Sequence, residues 1–145
     1  MTATGPSLHL WWSELGCKDG TPYPMIWRET RGMILGIEFE EFRSLCGGSP
    51  QVPESGFRTQ EWNRRIGGAA KSQHTEGRAI DLLTPSWLTV QQFWDLSRAH
   101  AKRPGSRTRG VGLYPWGVHL DTRPSNRLTI WYGTRPDADI QIANE

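Results

Sequence analysis

Two of the four histidines in the 145-residue chain, His74 and His119, each have an aspartate at a spacing that supports chemistry. In Ser72-Gln73-His74-Thr75-Glu76-Gly77-Arg78-Ala79-Ile80-Asp81 the histidine precedes a glycine that permits a tight turn, and Asp81 follows on the strand beyond it. Side chains alternate along a strand, so Ala79 and Asp81 share a face and Ile80 turns toward the core. The small Ala79 leaves room beside Asp81 for a metal or a substrate. In Gly117-Val118-His119-Leu120-Asp121-Thr122-Arg123 the same alternation puts Val118 and Leu120 on one face and His119 and Asp121 on the other. If the two strands are neighbours, His74, Asp81 and His119 converge. Two imidazoles and a carboxylate are the usual donor set for catalytic zinc, with a fourth position left for water. Such an ion polarises a carbonyl and lowers the pKa of water. The same spacing also fits aspartates that cap a turn or pair with an arginine, so both readings stay open. His9, near the N-terminus, and His100, on the polar flank of a helix end, read as surface or capping residues.

These side chains need elements to position them. Ile26 to Cys46 predicts a helix, because Leu35, Phe39, Phe42 and Cys46 fall on one face and Gly47-Gly48 supplies a stop. Gly32 and Gly36 weaken its first half. Gln51 to Phe57 reads as a short strand, Arg58 to Ile66 as a brief helix ended by Gly67-Gly68, and Arg78 to Leu83 as a strand. Thr84-Pro85-Ser86 gives turn and cap chemistry before a helix from about Thr89 to Lys102, with Val90, Phe93, Trp94 and Ala101 on one side. Three strand-like runs follow, Gly110 to Tyr114, Gly117 to Thr122 and Leu128 to Tyr132. Without regular βαβ alternation, the expected class is α+β: a single domain over residues 1–145, with a largely antiparallel sheet flanked by helices. Residues 1–9 are small and polar enough to expect a loose N-terminal segment. Trp11, Trp12, Trp87 and Trp94 are expected in the core, and Trp116 beside a substrate groove.

Composition excludes several classes. Hydrophobic residues make up 36% of the chain and charged ones 22%, which rules out a disordered or collagen-like protein. No stretch approaches the ~20 apolar residues of a membrane span, and Met1 to Trp12 lacks the pattern of a secretory signal. A net charge of +2 is too balanced to argue for nucleic acid. Lys102, Arg103, Arg107 and Arg109 form a basic loop, either a solvated connection or a surface favouring an anionic cell wall. Cys17 and Cys46 cannot build a disulfide framework or a four-cysteine zinc site; reduced thiols are expected, with one optional bridge left open.

The pattern S-x-H-x-x-G-x-A-x-D, met by Ser72, His74, Gly77, Ala79 and Asp81, resembles the signature of the M15 zinc D-Ala-D-Ala carboxypeptidases and related peptidoglycan peptidases. Hedgehog signalling domains share that fold and a similar zinc motif. Gly110 to Pro115 and Val118 to Arg123 resemble the closing motif of an M15 branch common in phages and bacteria. Ser55-Gly56-Phe57-Arg58, with Asn63 and Gly67-Gly68-Ala69, resembles that branch's S-G-[FY]-R segment and glycine turn, and Glu14 to Gly20 is similar to its N-terminal part. The resemblance runs from about Leu10 to Tyr132 with the motifs in order.

The resemblance implies that His74, Asp81 and His119 bind Zn2+, that Arg58 faces the scissile carbonyl oxygen or a substrate carboxylate, and that Ser72 hydrogen-bonds substrate. Read without it, Arg58 pairs as readily with Glu54 or Glu61, and Ser72 is a turn residue. One position departs from the family pattern: many relatives carry Glu three residues before the last histidine, where this chain has Trp116. Asp121 is then the first candidate for the catalytic base, although it can also orient a ligand or pair with Arg123; Glu76 is the second. The implied function is zinc-dependent hydrolysis of an amide bond in peptidoglycan stem peptides, as a carboxypeptidase or an endopeptidase. The implied enzyme is a monomer with no nucleic-acid partner and no membrane insertion. A leaderless chain of this kind resembles a phage lysis enzyme, made in the cytoplasm and acting on the wall after holin-dependent release or as part of a virion. The alternative is a non-catalytic, zinc-stabilised binding or structural module of the same fold.

Overall fold

Ile80, Leu82, Val111, Val118, Leu120 and Ile130 recur at every second position of their strands and all are buried, so one face of the sheet is committed to the core. The computed structural model describes residues 4–133 and the backbone of residues 139–144. After a one-turn helix α1 (Trp12–Leu15), a continuous helical run passes from a 3-10 turn (Met25–Trp27) through a π turn (Arg28–Gly32) into α2 (Met33–Leu45). There follow β1 (Pro53–Ser55), α3 (Gln60–Arg65), a 3-10 turn (Gln73–Glu76) and β2 (Ala79–Leu83). Then come α4 (Val90–Lys102), β3 (Gly110–Tyr114), β4 (Gly117–Asp121), β5 (Thr129–Gly133) and β6 (Asp139–Asn144). The six strands lie in the order β1-β2-β4-β3-β5-β6, antiparallel except for the parallel pair β3 and β5. The expected α+β class and largely antiparallel sheet are therefore present, with β6 as an unanticipated edge strand.

Helix α4 packs on β3 and β4, and α2 packs on α4. Leu35, Phe39, Phe42 and Cys46 are all buried, as their spacing requires. Helix α4 opens on Thr89, whose hydroxyl accepts from the Gln92 amide while Gln92 returns a bond to the Thr89 N–H. Ser86 therefore plays no cap role. Phe93, Trp94 and Ala101 face the core, but Val90 in the first turn is 49% exposed.

Three further expectations need correction. Trp12 and Trp94 are core residues, whereas Trp11, at the N-terminal cap of α1, and Trp87, in the turn before α4, are 56% and 47% exposed. The segment from Thr4 to His9 is not loose: the Trp12 amide donates to the Thr4 carbonyl, Ser7 pairs with Leu10, and the Ser7 hydroxyl and His9 ring bind Glu40 of α2. His100 lies wholly in the interior, bonded to Thr108 and Glu38, because α4 turns that flank toward α2 rather than to solvent. Cys17 and Cys46 are both free and buried. Among the described residues, no helix is long and apolar enough to cross a membrane.

Candidate metal centre

The sheet's second face carries the polar side chains, and its register sets their meeting. Strands β2 and β4 pair antiparallel with Asp81 directly opposite His119. On the far side of β4, β3 places Gly110 opposite Asp121 and Gly112 opposite His119. A Cβ at Gly110 would run into the Asp121 carboxylate, and one at Gly112 would meet the Trp131 ring that leans on His119, so both glycines make room for the site. His74 arrives from outside the sheet on the 3-10 turn, and the residue that caps this turn, Ser72, accepts a bond from the His74 amide through its hydroxyl at 3.2 Å. Gly77 ends that turn at φ 66°, a left-handed conformation that glycine adopts without strain, and the chain then enters β2.

His74 Nε2 lies 3.1 Å and His119 Nδ1 3.0 Å from the same oxygen, Asp81 Oδ1. All three residues are buried, and one ligand atom from each falls within 4.8 Å of the others. Two donors each about 2.0–2.1 Å from a tetrahedral zinc stand roughly 3.3 Å apart, close to these separations.

The outer ring nitrogens decide the chemistry of the inner ones. His74 Nδ1–H donates to the Gly56 carbonyl at 2.6 Å, and His119 Nε2–H donates to Asp121 Oδ2 at 2.7 Å. As neutral rings, both then aim lone pairs at an anionic oxygen, an arrangement that repels unless positive charge lies between them. A second proton on each ring would supply it, and so would a metal ion. Burial opposes a charged His119, yet its bonds to Asp121 and Asp81 raise its pKa to about 10. Burial likewise opposes a charged Asp81, but the His74 and His119 rings hold its carboxyl well below the usual carboxylate range. The residues fit a divalent cation, with outer-shell acceptors already orienting both histidines.

Arg58 is buried beside this cluster. Its guanidinium reaches Asp81 Oδ2 at 3.4 Å, Ser55 Oγ at 3.2 Å and Asn63 Oδ1 at 3.3 Å, so neither Glu54 nor Glu61 is among these partners. The segment before it is fastened at both ends, the Phe57 amide to the Leu15 carbonyl and the Arg58 amide to the His74 carbonyl. Asn63, held by its own bond to the Ala69 carbonyl, fixes the fork from α3. Arg58 and Asp81 line a cleft of about 360 Å³ together with Lys18, Glu54, Ser55, Trp62, Ile66, Leu83 and Trp116. Trp116 lines this cleft and stacks on Tyr114.

Asp121 meets the cluster from behind. Its carboxylate accepts from His119 and from Arg123, whose Nε and Nη2 lie 2.8 and 2.7 Å from its two oxygens. Burial would raise this carboxyl, yet Arg123 and His119 hold it well below the usual range. Neither Ser72 nor Glu76 lines the Arg58 cleft; both border a separate hollow with Gln60 and Lys71. Sequence reasoning missed Trp131 and Glu54. Trp131 was detectable as the outward residue of an alternating strand, whereas Glu54 sits in a three-residue strand too short to show a pattern.

No curated protein matches the chain. The model of one family, Peptidase M15, matches residues 28–121, a span that holds Arg58, His74, Asp81, His119 and Asp121. With that match over most of the chain, and with the two histidines and the aspartate gathered as a metallopeptidase requires, the chain belongs to the Peptidase M15 family.

Proposed function

We propose that the chain is a zinc-dependent peptidase that hydrolyses an amide bond in peptidoglycan stem peptides, as a phage-type lytic enzyme acting on the wall after release or within a virion. The observation that carries this reading is the pair of inward imidazole nitrogens of His74 and His119, both facing Asp81 Oδ1 with their outer N–H groups already engaged. When bound, zinc supplies a Lewis acid for the peptide carbonyl and lowers the pKa of water to near neutral.

The chain's own residues do the rest. Gly56 and Asp121 hold the two rings in the tautomers that leave the inner nitrogens free to ligate. Arg58 offers the cleft a planar, permanent cation suited to a peptide carboxylate or a developing oxyanion. Lys18, at the same cleft, adds a second positive charge, and Trp62, Ile66 and Trp116 form an apolar wall for small side chains. Asp121 is a positioning residue, since its oxygens face His119 and Arg123 rather than the cleft. Glu54, ion-paired to Lys18 at 2.9 Å, is the cleft carboxylate that remains to accept a proton once Asp81 serves as a ligand. Ser72 serves His74 by capping its turn.

A non-catalytic zinc-stabilised module is the second reading, favoured by Trp116 at the position where many relatives have Glu and by the engagement of Asp121. Turbidity of purified cell walls, followed with zinc, with chelator and after zinc is restored, separates the two. A peptidase clears the wall only with zinc present and releases D-amino acids or cross-link fragments that identify the bond. Clearing that persists after full zinc removal defeats the metal-dependent reading. Absence of clearing, with chelator still lowering Tm, supports the module.

A further inference from the structure

A second cleft, of about 660 Å³, shares no lining residue with the one beside Asp81. Five arginines border it, Arg31, Arg78, Arg107, Arg109 and Arg123, and none of the residues lining it is acidic. They come from separate parts of the chain: the π turn, the residue before β2, the loop before β3 and the segment between β4 and β5. That is five of the seventeen basic residues at one place in a chain whose net charge is only +2. Three of the five are partly engaged. Arg31 donates to the Glu76 carbonyl, Arg109 to the Thr108 and Ala101 carbonyls, and Arg123 to Asp121. The side chains of Arg78 and Arg107 make no hydrogen bond or ion pair among the described residues. Burial and the nearby charge of Arg31 act against the Arg78 cation and outweigh the favourable influence of Glu76 and Tyr23.

Converging guanidinium groups repel, and a fold keeps them together cheaply only when something anionic joins them. The guanidinium fork matches phosphate oxygens, which accept two parallel bonds from it. Besides the arginines the lining is mostly hydroxyl and amide, from Thr30, Ser106, Thr122, Ser125 and Asn126, with Ile34 and Pro124 apolar and no aromatic ring, so bases have nothing to stack on. A cleft of this size admits one flexible chain rather than a duplex.

We propose that this arginine cleft binds a phosphodiester-linked polyol chain, its phosphates taken by the arginines and its hydroxyls by the serine, threonine and asparagine side chains. The cleft shares no lining residue with the one beside Asp81 and touches the metal centre only through the bond of Arg123 to Asp121, and the proposal does not rest on the peptidase reading. Of the basic loop, Arg107 and Arg109 serve this cleft, while Arg103 turns away to pair with Glu41.

Titration of the zinc-loaded protein with a fluorescent glycerol-phosphate oligomer tests the proposal without any turnover. Binding is expected at low salt, weakening about tenfold or more between roughly 50 and 200 mM salt. Arg107→Gln and Arg78→Gln, made singly and together, are expected to weaken it progressively, to about tenfold or more in the pair. Arg107 is exposed, so its variant reports even if the Arg78 one folds poorly. Arg65→Gln, on α3 away from the cleft, is expected to leave binding unchanged. Absence of binding, or binding indifferent to both cleft variants, overturns the proposal. Equal affinity for inorganic pyrophosphate overturns the assignment to a chain, and tighter binding of an oligonucleotide of equal charge overturns the assignment to a polyol.

Discussion

The interior holds two clusters that each join a carboxylate to histidine and that behave as opposites. Around Glu38, the Ser106 and Thr108 hydroxyls, the Thr108 amide and the His100 ring all reach one oxygen, Oε1, at 2.8 to 3.2 Å. Around Asp81, two imidazole nitrogens reach one oxygen at similar distances, but their protons are already directed elsewhere. Glu38 is satisfied by donors from its own chain, so that cluster is closed and ties α2 to α4 and to the loop before β3. Asp81 meets two potential electron-pair donors, so that cluster is complete only with added positive charge. Histidine, carboxylate and burial together do not make a metal site; the direction of the protons does.

That contrast can be broken by substitution. The largest effect is expected from His119→Ala, which removes one of three ligands: bound zinc and peptidase activity should vanish together, read by metal analysis and wall clearing. Retention of stoichiometric zinc would refute the assignment. Next come the cleft residues. Arg58→Ala should keep zinc while lowering turnover by about 10²–10³-fold, and Glu54→Gln should do the same by about 10²–10⁴-fold if it takes the proton. Zinc loss in Arg58→Ala would make that arginine structural. Asp121→Asn should weaken zinc affinity by about 10–100-fold through His119, a competition titration with a chromophoric chelator being the measure; unchanged affinity with abolished turnover would instead make Asp121 the base.

The smallest effect on the metal centre is expected from the closed cluster. Glu38→Gln should leave zinc content unaltered and cost about 1–3 kcal/mol of stability, visible as a drop in Tm. Burial opposes the Glu38 charge, but bonds from His100, Ser106 and Thr108 lower its pKa from 4.5 to about 2. A carboxyl depressed on folding contributes stability that is whole above its unfolded value and disappears as the pH falls. Wild-type protein should therefore lose more stability than Glu38→Gln between about pH 4.5 and 2.

Much of the fold was legible because its signals are local. The alternation of Val118, His119, Leu120 and Asp121 assigned each to a face, and the spacing of Leu35, Phe39 and Phe42 marked the buried side of α2. Other features depend on contacts between distant segments. Trp87 and Trp11 are apolar enough for a core but are exposed, and Ser7 and His9 are fastened to α2 through Glu40, 33 and 31 residues further along the chain. The parallel pairing of β3 with β5 has no counterpart in either strand's own pattern.

The same division runs through the site. Residue types and spacing, by themselves, determined which face of β4 was polar and that Asp81 shares a face with Ala79, since both follow from the two-residue period of a strand, and they put His74 one tight turn ahead of that strand. Only the tertiary structure decided that Asp81 stands opposite His119, that Asp121 and Gly56 claim the outer ring nitrogens, and that five arginines far apart along the chain share one cleft. Register, tautomer and electrostatic neighbourhood are set by which segments pack together, and no local pattern encodes that.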